Sequence, residues 1–324
     1  MIEQIHKKIT VPREYHNQRI DSVLAHLLPE YSRSQISNWI KSGTILLNRK
    51  TCKPKDKALD GDLIEIDVDL TVVDNDFNQC APEEIPLDIV FEDKDILVIN
   101  KSANMVVHPG AGNREHTLVN ALLHHTPTLH HLPRAGIIHR LDKDTTGLLV
   151  VAKNLRAHTF LTRKMQARQI HRHYVTLVQG HIISGGIIDT GFGRHPRNRL
   201  KMTVLEVGRQ AITYYSVKKQ YQDFTLLDVQ LMTGRTHQIR VHLAYINHPV
   251  FGDPLYGGRM RFPAHANEQL RILIQNFKRQ ALHACTLTLE HPQTKKELTF
   301  RAPLPDDFNL LLNTLDAHYE DLSS

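Results

Sequence analysis

Residues 69–85 read DLTVVDNDFNQCAPEEI, an acidic stretch that contains Pro82 and has no sustained hydrophobic period. Neither a helical stripe nor an alternating strand face runs through it, so the chain must divide there into separately packed units. The expected organisation is a first unit of residues 1–75, a linker of residues 76–85 and a second unit of residues 86–324. A length of 324 residues suits two domains, and a 41% hydrophobic content is ample for two cores. Charge divides along the same lines. Residues 1–57 hold 11 basic and 5 acidic side chains, residues 58–100 hold 1 and 13, and residues 101–324 hold 28 and 16. The net +6 hides two basic blocks joined by an acidic one, a pattern suited to a polyanionic partner that touches the outer blocks only.

No run approaches the roughly 20 apolar residues of a membrane span, and the N-terminal MIEQIHKKITVPREYH lacks a signal-peptide core. A cytoplasmic protein with no membrane partner is expected. Cys52, Cys80 and Cys285 are scattered and form no C-x-x-C pair, which argues against both a disulfide framework and a zinc ribbon.

In the first unit, Ile20, Val23, Leu24, Leu27 and Leu28 recur at helical spacing and the pattern ends at Pro29. Ser32 or Ser34 can cap a second helix that runs through Trp39 and Ile40 and stops at Gly43. Thr44 to Leu47 then read as a strand, Asn48 to Lys50 as a turn and Leu63 to Val68 as a final strand. Arg33, Lys41, Arg49, Lys50, Lys53, Lys55 and Lys57 can form a face for phosphates, although a merely solvated surface explains so few charges equally well. The pattern R-I-D-x-x-L-A…Y-S-R-S-x-I-x-x-W-I…G-x-I-L-L-N…K…G-D resembles the S4 RNA-binding module. That resemblance implies RNA contacts at Arg33, Lys41, Arg49 and Lys50.

The second unit alternates short apolar runs (87–91, 96–99, 148–152, 174–178, 211–217, 224–231) with helical stretches near 117–125, 155–169, 236–246, 267–280 and 307–318. Several strands are adjacent in sequence, so the expected fold class is α+β with a mixed, largely antiparallel sheet flanked by helices.

The most unusual stretch is G-I-I-H-R-L-D-K-D-T-T-G, residues 136–147, a polar loop held between two apolar runs. It is a natural place to fix Asp142 rigidly, while a simple turn in which Asp142 and Asp144 bond backbone amides is the plainer alternative. D-K-D-T-T also matches the D-x-D-x-T of haloacid-dehalogenase phosphotransferases, but His139 and Arg140 interrupt the strand that should precede it and the later acidic metal pair is missing. The kinase H-R-D loop fails as well, because Leu141 separates Arg140 from Asp142 and no glycine-rich phosphate loop is present.

A third template covers most of the chain. The block from Gly136 to Lys153, the R-x-Y of Arg172 to Tyr174, G-R-T-H-Q-I-R-V-H-L from Gly234 to Leu243, and H-P-V-F-G-D-P-L-Y-G from His248 to Gly257 together resemble the RluA family of pseudouridine synthases. The resemblance implies an isomerase that converts uridine to pseudouridine in 23S ribosomal RNA or a large-subunit particle, with the helix 69 stem-loop as target. It implies no metal, nucleotide or redox cofactor, and a monomer is expected. On the matching motifs Asp142 becomes the catalytic carboxylate, Tyr174 the ring that stacks on uracil, and Arg235 the ion-pair partner of Asp142. Arg140 becomes the side chain that fills the RNA stack when the base leaves, with His139 and Thr146 beside it at the RNA. A non-catalytic RNA-binding protein of the same fold is the rival reading. His124, His125, His130 and His131 lack metal-ligand spacing, so no metal site is expected.

Overall fold

A computed structural model describes residues 4–28, 31, 33–69, 80–110, 113, 115–263 and 265–321. The first unit comprises β1 (Gln4–Thr10), β2 (Gln18–Arg19), α1 (Ile20–Leu27), α2 (Arg33–Lys41), β3 (Ile45–Leu47), β4 (Lys50–Thr51), β5 (Lys57–Ala58) and β6 (Leu63–Asp69). Its sheet has the order β1-β6-β3-β4, with β2 and β5 paired apart. Ile20, Val23 and Leu24 of α1 and Ile36 and Ile40 of α2 bury the stripe that helical spacing requires, against Ile45, Ile64, Ile66 and Val68 of the strands. Asn48 (φ 52°) and Arg49 (φ 63°) are both left-handed and close a tight hairpin between β3 and β4. Of the two expected caps, Ser32 lies outside the described residues and Ser34 falls inside α2. The expected linker is outside the described residues up to position 79 and irregular from Cys80 onward.

The second unit comprises β7 (Ile89–Glu92), β8 (Ile96–Lys101), α3 (Leu118–His125), β9 (Thr146–Ala152), α4 (Leu155–Gln166), β10 (His171–Gln179), β11 (Gly186–Arg194), β12 (Met202–Leu205), β13 (Arg209–Gln220), β14 (Phe224–Leu231), α5 (Gln238–Tyr245), α6 (Glu268–Asn276), β15 (Leu282–Glu290), β16 (Glu297–Arg301) and α7 (Asp306–Asp321). Ten strands form one sheet in the order β12-β11-β13-β14-β10-β15-β9-β8-β7, with β16 added to β15. Every named pair is antiparallel except β9 with β15, so the sheet is mixed and largely antiparallel as expected.

Side-chain alternation along the central strands divides the core into two faces. Leu97, Ile99, Leu149, Val151 and Tyr174 pack with α3 and α5 on one side, while Val98, Val150 and Ala152 pack with α4 on the other. Further along that second side, Leu177, Phe224 and Leu226 pack with α6 and α7. β9 is buried along its whole length, which is why it reads as an unbroken apolar run. The strands β1, β2, β4, β5, β11, β12, β15 and β16 escaped the sequence reading. β11 holds three glycines and β15 interleaves His283 and threonines with its apolar residues, so neither shows a clean run. The helix expected at 267–280 ends at Asn276, where the chain turns into β15.

Two glycines fix how the polar loop joins the sheet. A Cβ on Gly136 (φ 76°) would lie 2.0 Å from the carbonyl oxygen of Ala152, and one on Gly147 (φ 111°) would lie 2.3 Å from that of Ala284. Both clashes are with backbone in core strands. Gly147→Ala combines left-handed strain with a forced separation of β9 from β15, and should cost about 2 kcal/mol or more. A urea-unfolding midpoint equal to that of the parent protein would contradict this account.

Candidate active site

The polar loop descends from a short turn at Pro133–Gly136, where Arg134 (φ 53°) and Ala135 (φ 49°) are left-handed. Ile137 bridges to Val151, and the half-buried His139 accepts a hydrogen bond at Nε2 from the amide of Val150, 3.3 Å away. Burial pushes the His139 imidazole down to about 3, so the ring is neutral and able to accept. On the far side of the loop the Thr145 hydroxyl accepts from Gln280 Nε2 (3.0 Å), and Thr146 bonds His283 Nδ1 (2.8 Å). Lys101, only 2% exposed, donates from Nζ to the carbonyls of Ser102, Met105 and Lys143. Burial pushes its ammonium down to about 7, against the pull of Asp144 and Asp142. The loop that carries Asp142 is therefore gripped from both flanks and from below.

Asp142 faces the start of α5. Arg240 donates from Nη1 to Asp142 Oδ2 (3.0 Å), and from Nε and Nη2 to the two oxygens of Asp253 (2.6 and 2.8 Å). Asp253 also accepts from the amides of Leu255 and Tyr256. Burial opposes the charge of Arg240, but the hydrogen bonds and charge of Asp253, with those of Asp142, hold its pKa above the ordinary value. Burial likewise opposes the Asp253 carboxylate, and Arg240 keeps its pKa below the usual range. The fork geometry that lets one guanidinium serve two carboxylates is particular to arginine. On the other side His237 Nε2 stands 3.9 Å from Asp142 Oδ1, while its Nδ1 shares a hydrogen bond with the Tyr256 hydroxyl (2.9 Å). Burial lowers the pKa of His237.

Tyr174 projects from β10 toward the same place. It is 3% exposed, and burial raises the pKa of its phenol. Opposite His173 and Tyr174, β15 carries one extra residue, Cys285, a bulge of the kind that re-aims strands beside functional sites. A cleft of about 490 Å³ opens over Asp142 and Tyr174, with Arg134, Arg140, Arg172 and Arg235 in its walls. One carboxylate already matched by Arg240, set among four further arginines, makes this a cleft for an anionic ligand.

Residues 95–245 match the family model described as RNA pseudouridylate synthase, and residues 18–64 match the S4 domain. Over 317 residues the chain is 49% identical to ribosomal large subunit pseudouridine synthase D of Haemophilus influenzae, covering 98% of this chain and 97% of that one. The chain belongs to the RNA pseudouridylate synthase family. The synthase of the same name from Escherichia coli K12 is 45% identical over 322 residues, covering 99% of this chain and 98% of that one. Among solved structures, human RNA pseudouridylate synthase domain containing 4 superposes with a TM-score of 0.55 at 25% identity, over 70% of this chain and 92% of that one.

Within this family fold, the residues singled out from the sequence fall into three groups. Asp142, Tyr174, Arg140 and Arg235 all line the cleft. Arg33, Lys41, Arg49 and Lys50 lie on the surface of the first unit, and Arg33 is tied to the buried Asp21 at 2.8 Å together with Arg19. Two expectations are corrected. Arg235 does not pair with Asp142: it is exposed and reaches only the carbonyl of Gln210 at 3.4 Å, while Arg240, one helical turn into α5, takes the pairing. Thr146 does not face the RNA, because it is buried at the start of β9 with its hydroxyl committed to His283. His139 lines the cleft, and the hydrogen bond it accepts from Val150 holds the loop, the orienting role expected of it.

Arg240, Asp253 and Lys101 were not assigned roles at the site from sequence, whereas His237 was expected to orient the loop by hydrogen bonds and does bond the Tyr256 hydroxyl beside Asp142. The G-R-T-H-Q-I-R run offers two arginines, and choosing between them requires knowing that His237 (φ 59°) is the N-cap that turns Arg240 inward. Among the described residues, Asp93, Asp95 and His291 are the one group of His, Cys, Asp and Glu side chains close enough to share an ion. The Asp93 carboxylate there is already bonded to His291 and to the amides of Asp95 and Ile96. None of these residues lines the cleft. Among the described residues no helix is long and apolar enough to cross a membrane.

Proposed function

We propose that this protein isomerises uridine to pseudouridine in 23S ribosomal RNA, with the helix 69 stem-loop as target, acting as a cytoplasmic monomer. Residues 1–75 hold the RNA and residues 86–324 perform the reaction. The observation that carries this reading is the ionic grip on Asp142. Its side chain is 14% exposed at the floor of a cationic cleft, beside Tyr174 and bonded to a buried arginine.

The reaction breaks the bond between N1 of uracil and C1′ of ribose, turns the ring and rebuilds the link through C5. The C5 proton is replaced by carbon and N1 finishes protonated, so nothing is gained or lost overall. Asp142 acts at the ribose, either by attack on C1′ or by removal of a sugar proton, and both routes use the same carboxylate in the same place. Tyr174 supplies a flat, apolar wall for the uracil ring. Extruding a base from a helix costs a few kcal/mol, and the exposed guanidinium of Arg140 can stack in the gap it leaves. Arg134 and Arg235 offer positive charge to the phosphates at the cleft wall.

The support comes from the four motifs in order, the S4 match at residues 18–64, and relatives named for the ribosomal large subunit. Mapping pseudouridines in 23S RNA from cells with and without the protein tests the proposal. Pseudouridine should disappear from the helix 69 loop in cells that lack it. An unchanged map would overturn the assignment.

A further inference from the structure

Arg172 is the second residue of β10 and lies two positions before Tyr174, on the same face of the strand, with 7% of its surface exposed. A guanidinium withdrawn from water needs an anion or a set of acceptors. The other two arginines buried to this degree have one: Arg240 holds two aspartates and Arg279 is bound through both prongs by Asp307. Among the described residues Arg172 makes no hydrogen bond and no ion pair with its side chain, and its Nε is sealed away without a partner. The side chain lines the cleft with Asp142 and Tyr174, and the charges of both Arg172 and Asp142 act on the Tyr174 phenol. Room for the guanidinium comes from Gly234, on which a Cβ would lie 2.7 Å from Nη1. An uncompensated cation kept at the site of a reaction implies that its counter-charge arrives with, or arises in, the substrate.

We propose that Arg172 is a catalytic residue whose ligand is the uracil ring while it is detached from the ribose. This deepens the function proposed above and rests on it. When the N1–C1′ bond breaks, its electron pair stays with the ring, whose negative charge is shared between N1 and the carbonyl oxygens O2 and O4. The electron demand at the sugar is met by the Asp142 carboxylate or by loss of a sugar proton. The ring then bonds C1′ from C5 as the bond between Asp142 and C1′ breaks, or as the unsaturated sugar takes its proton back; the C5 proton leaves, and N1 takes one up. Throughout, the ring must turn without escaping. A charge-to-charge attraction tolerates that turning better than a hydrogen bond to one atom, and it is weak for neutral uridine, so it favours the transition state over the bound substrate. The phosphates of the chain are the other anions available. They stay outside with the backbone, where Arg134, Arg140 and Arg235 are exposed, whereas a side chain as enclosed as Arg172 meets what enters the cleft, which is the base.

The test uses the full-length protein and a 23S RNA transcript that it modifies, with single-turnover rate, RNA affinity at several salt concentrations and thermal midpoint measured together. Arg172→Met should slow the single-turnover rate about 10²–10³-fold while RNA affinity stays within about threefold. Its salt dependence should match the parent's, and the thermal midpoint should be equal or higher because an uncompensated buried charge is gone. Gly234→Ala keeps the charge but displaces the guanidinium, and should also slow the rate without loss of affinity; it carries the test if Arg172→Met does not fold. Weaker binding with a shallower salt dependence and a normal rate would make the ligand a phosphate and overturn the proposal. A lowered thermal midpoint, restored together with the rate by Arg172→Lys, would make the role structural and also overturn it. If the parent protein forms no pseudouridine in any 23S transcript or large-subunit particle, the function itself falls. A fully active Arg172→Met alongside an active parent removes only the inference about Arg172.

Discussion

Arg240→Met should destabilise the protein by about 3–5 kcal/mol, because removing one member of a buried ion pair strands the other. The stranded group is Asp253, whose side chain is fully buried. Its remaining acceptor contacts are the amides of Leu255 and Tyr256, which cannot replace a positive charge. A loss of that size is a large share of the roughly 5–15 kcal/mol that holds a typical domain together. Arg240→Lys should recover little, since a single ammonium cannot bond Asp142 and both oxygens of Asp253 at once. Arg235→Met is the natural control. Its guanidinium is exposed and makes one long contact, so its removal should change stability by less than about 0.5 kcal/mol. Urea unfolding of the three variants decides the matter. If Arg235→Met unfolds early and Arg240→Met does not, the pairing described here is wrong.

Asp142→Asn should abolish measurable pseudouridine formation, a fall of about 10³-fold or more, while the protein remains folded. The amide is isosteric and can still accept from Arg240 Nη1, and Arg240 keeps its two bonds to Asp253, so the ionic core survives. What is lost is the negative charge, which both routes at the ribose require. RNA affinity should hold or rise slightly, because the cleft becomes more positive. Single-turnover conversion and filter binding on the same RNA separate the two effects. A variant that retains more than about a tenth of the parental rate would remove Asp142 from its proposed role.

These two variants also show how the site depends on its surroundings. The carboxylate that acts on the ribose is held by an arginine whose second partner, Asp253, makes no part of the cleft wall. Gln238 adds to this support. Its Oε1 accepts from the amide of Arg235 and the hydroxyl of Thr233, and its Nε2 donates to the carbonyl of Ile212 and to Thr213 Oγ1. With all its hydrogen-bonding capacity used, it anchors the segment that leads into α5, and so sets where Arg240 meets Asp142.

Much of the protein is legible in the order of its residues. Period-2 and helical spacing report which face of an element is apolar, and that is enough to place β8, β9, β10, β13, β14 and all five helices of the second unit near their observed positions. The glycine-bounded loop before β9 marks Asp142 because few other stretches set a carboxylate between two core runs. Tyr174 stands where the R-x-Y motif puts it. The tertiary structure alone decides which charges meet. Asp142 and Arg240 are 98 residues apart, and Arg235 and Arg240 are equivalent until the left-handed His237 sets the phase of α5. Thr146 looks like a polar loop residue until the parallel pairing of β9 with β15 brings His283 to it. The R-x-Y motif names Arg172, but nothing in the letters shows that its side chain is buried without an anion. Burial and pairing are properties of the packed sheet, because the free energy of a charge depends on its neighbours in space, and local pattern carries no record of those.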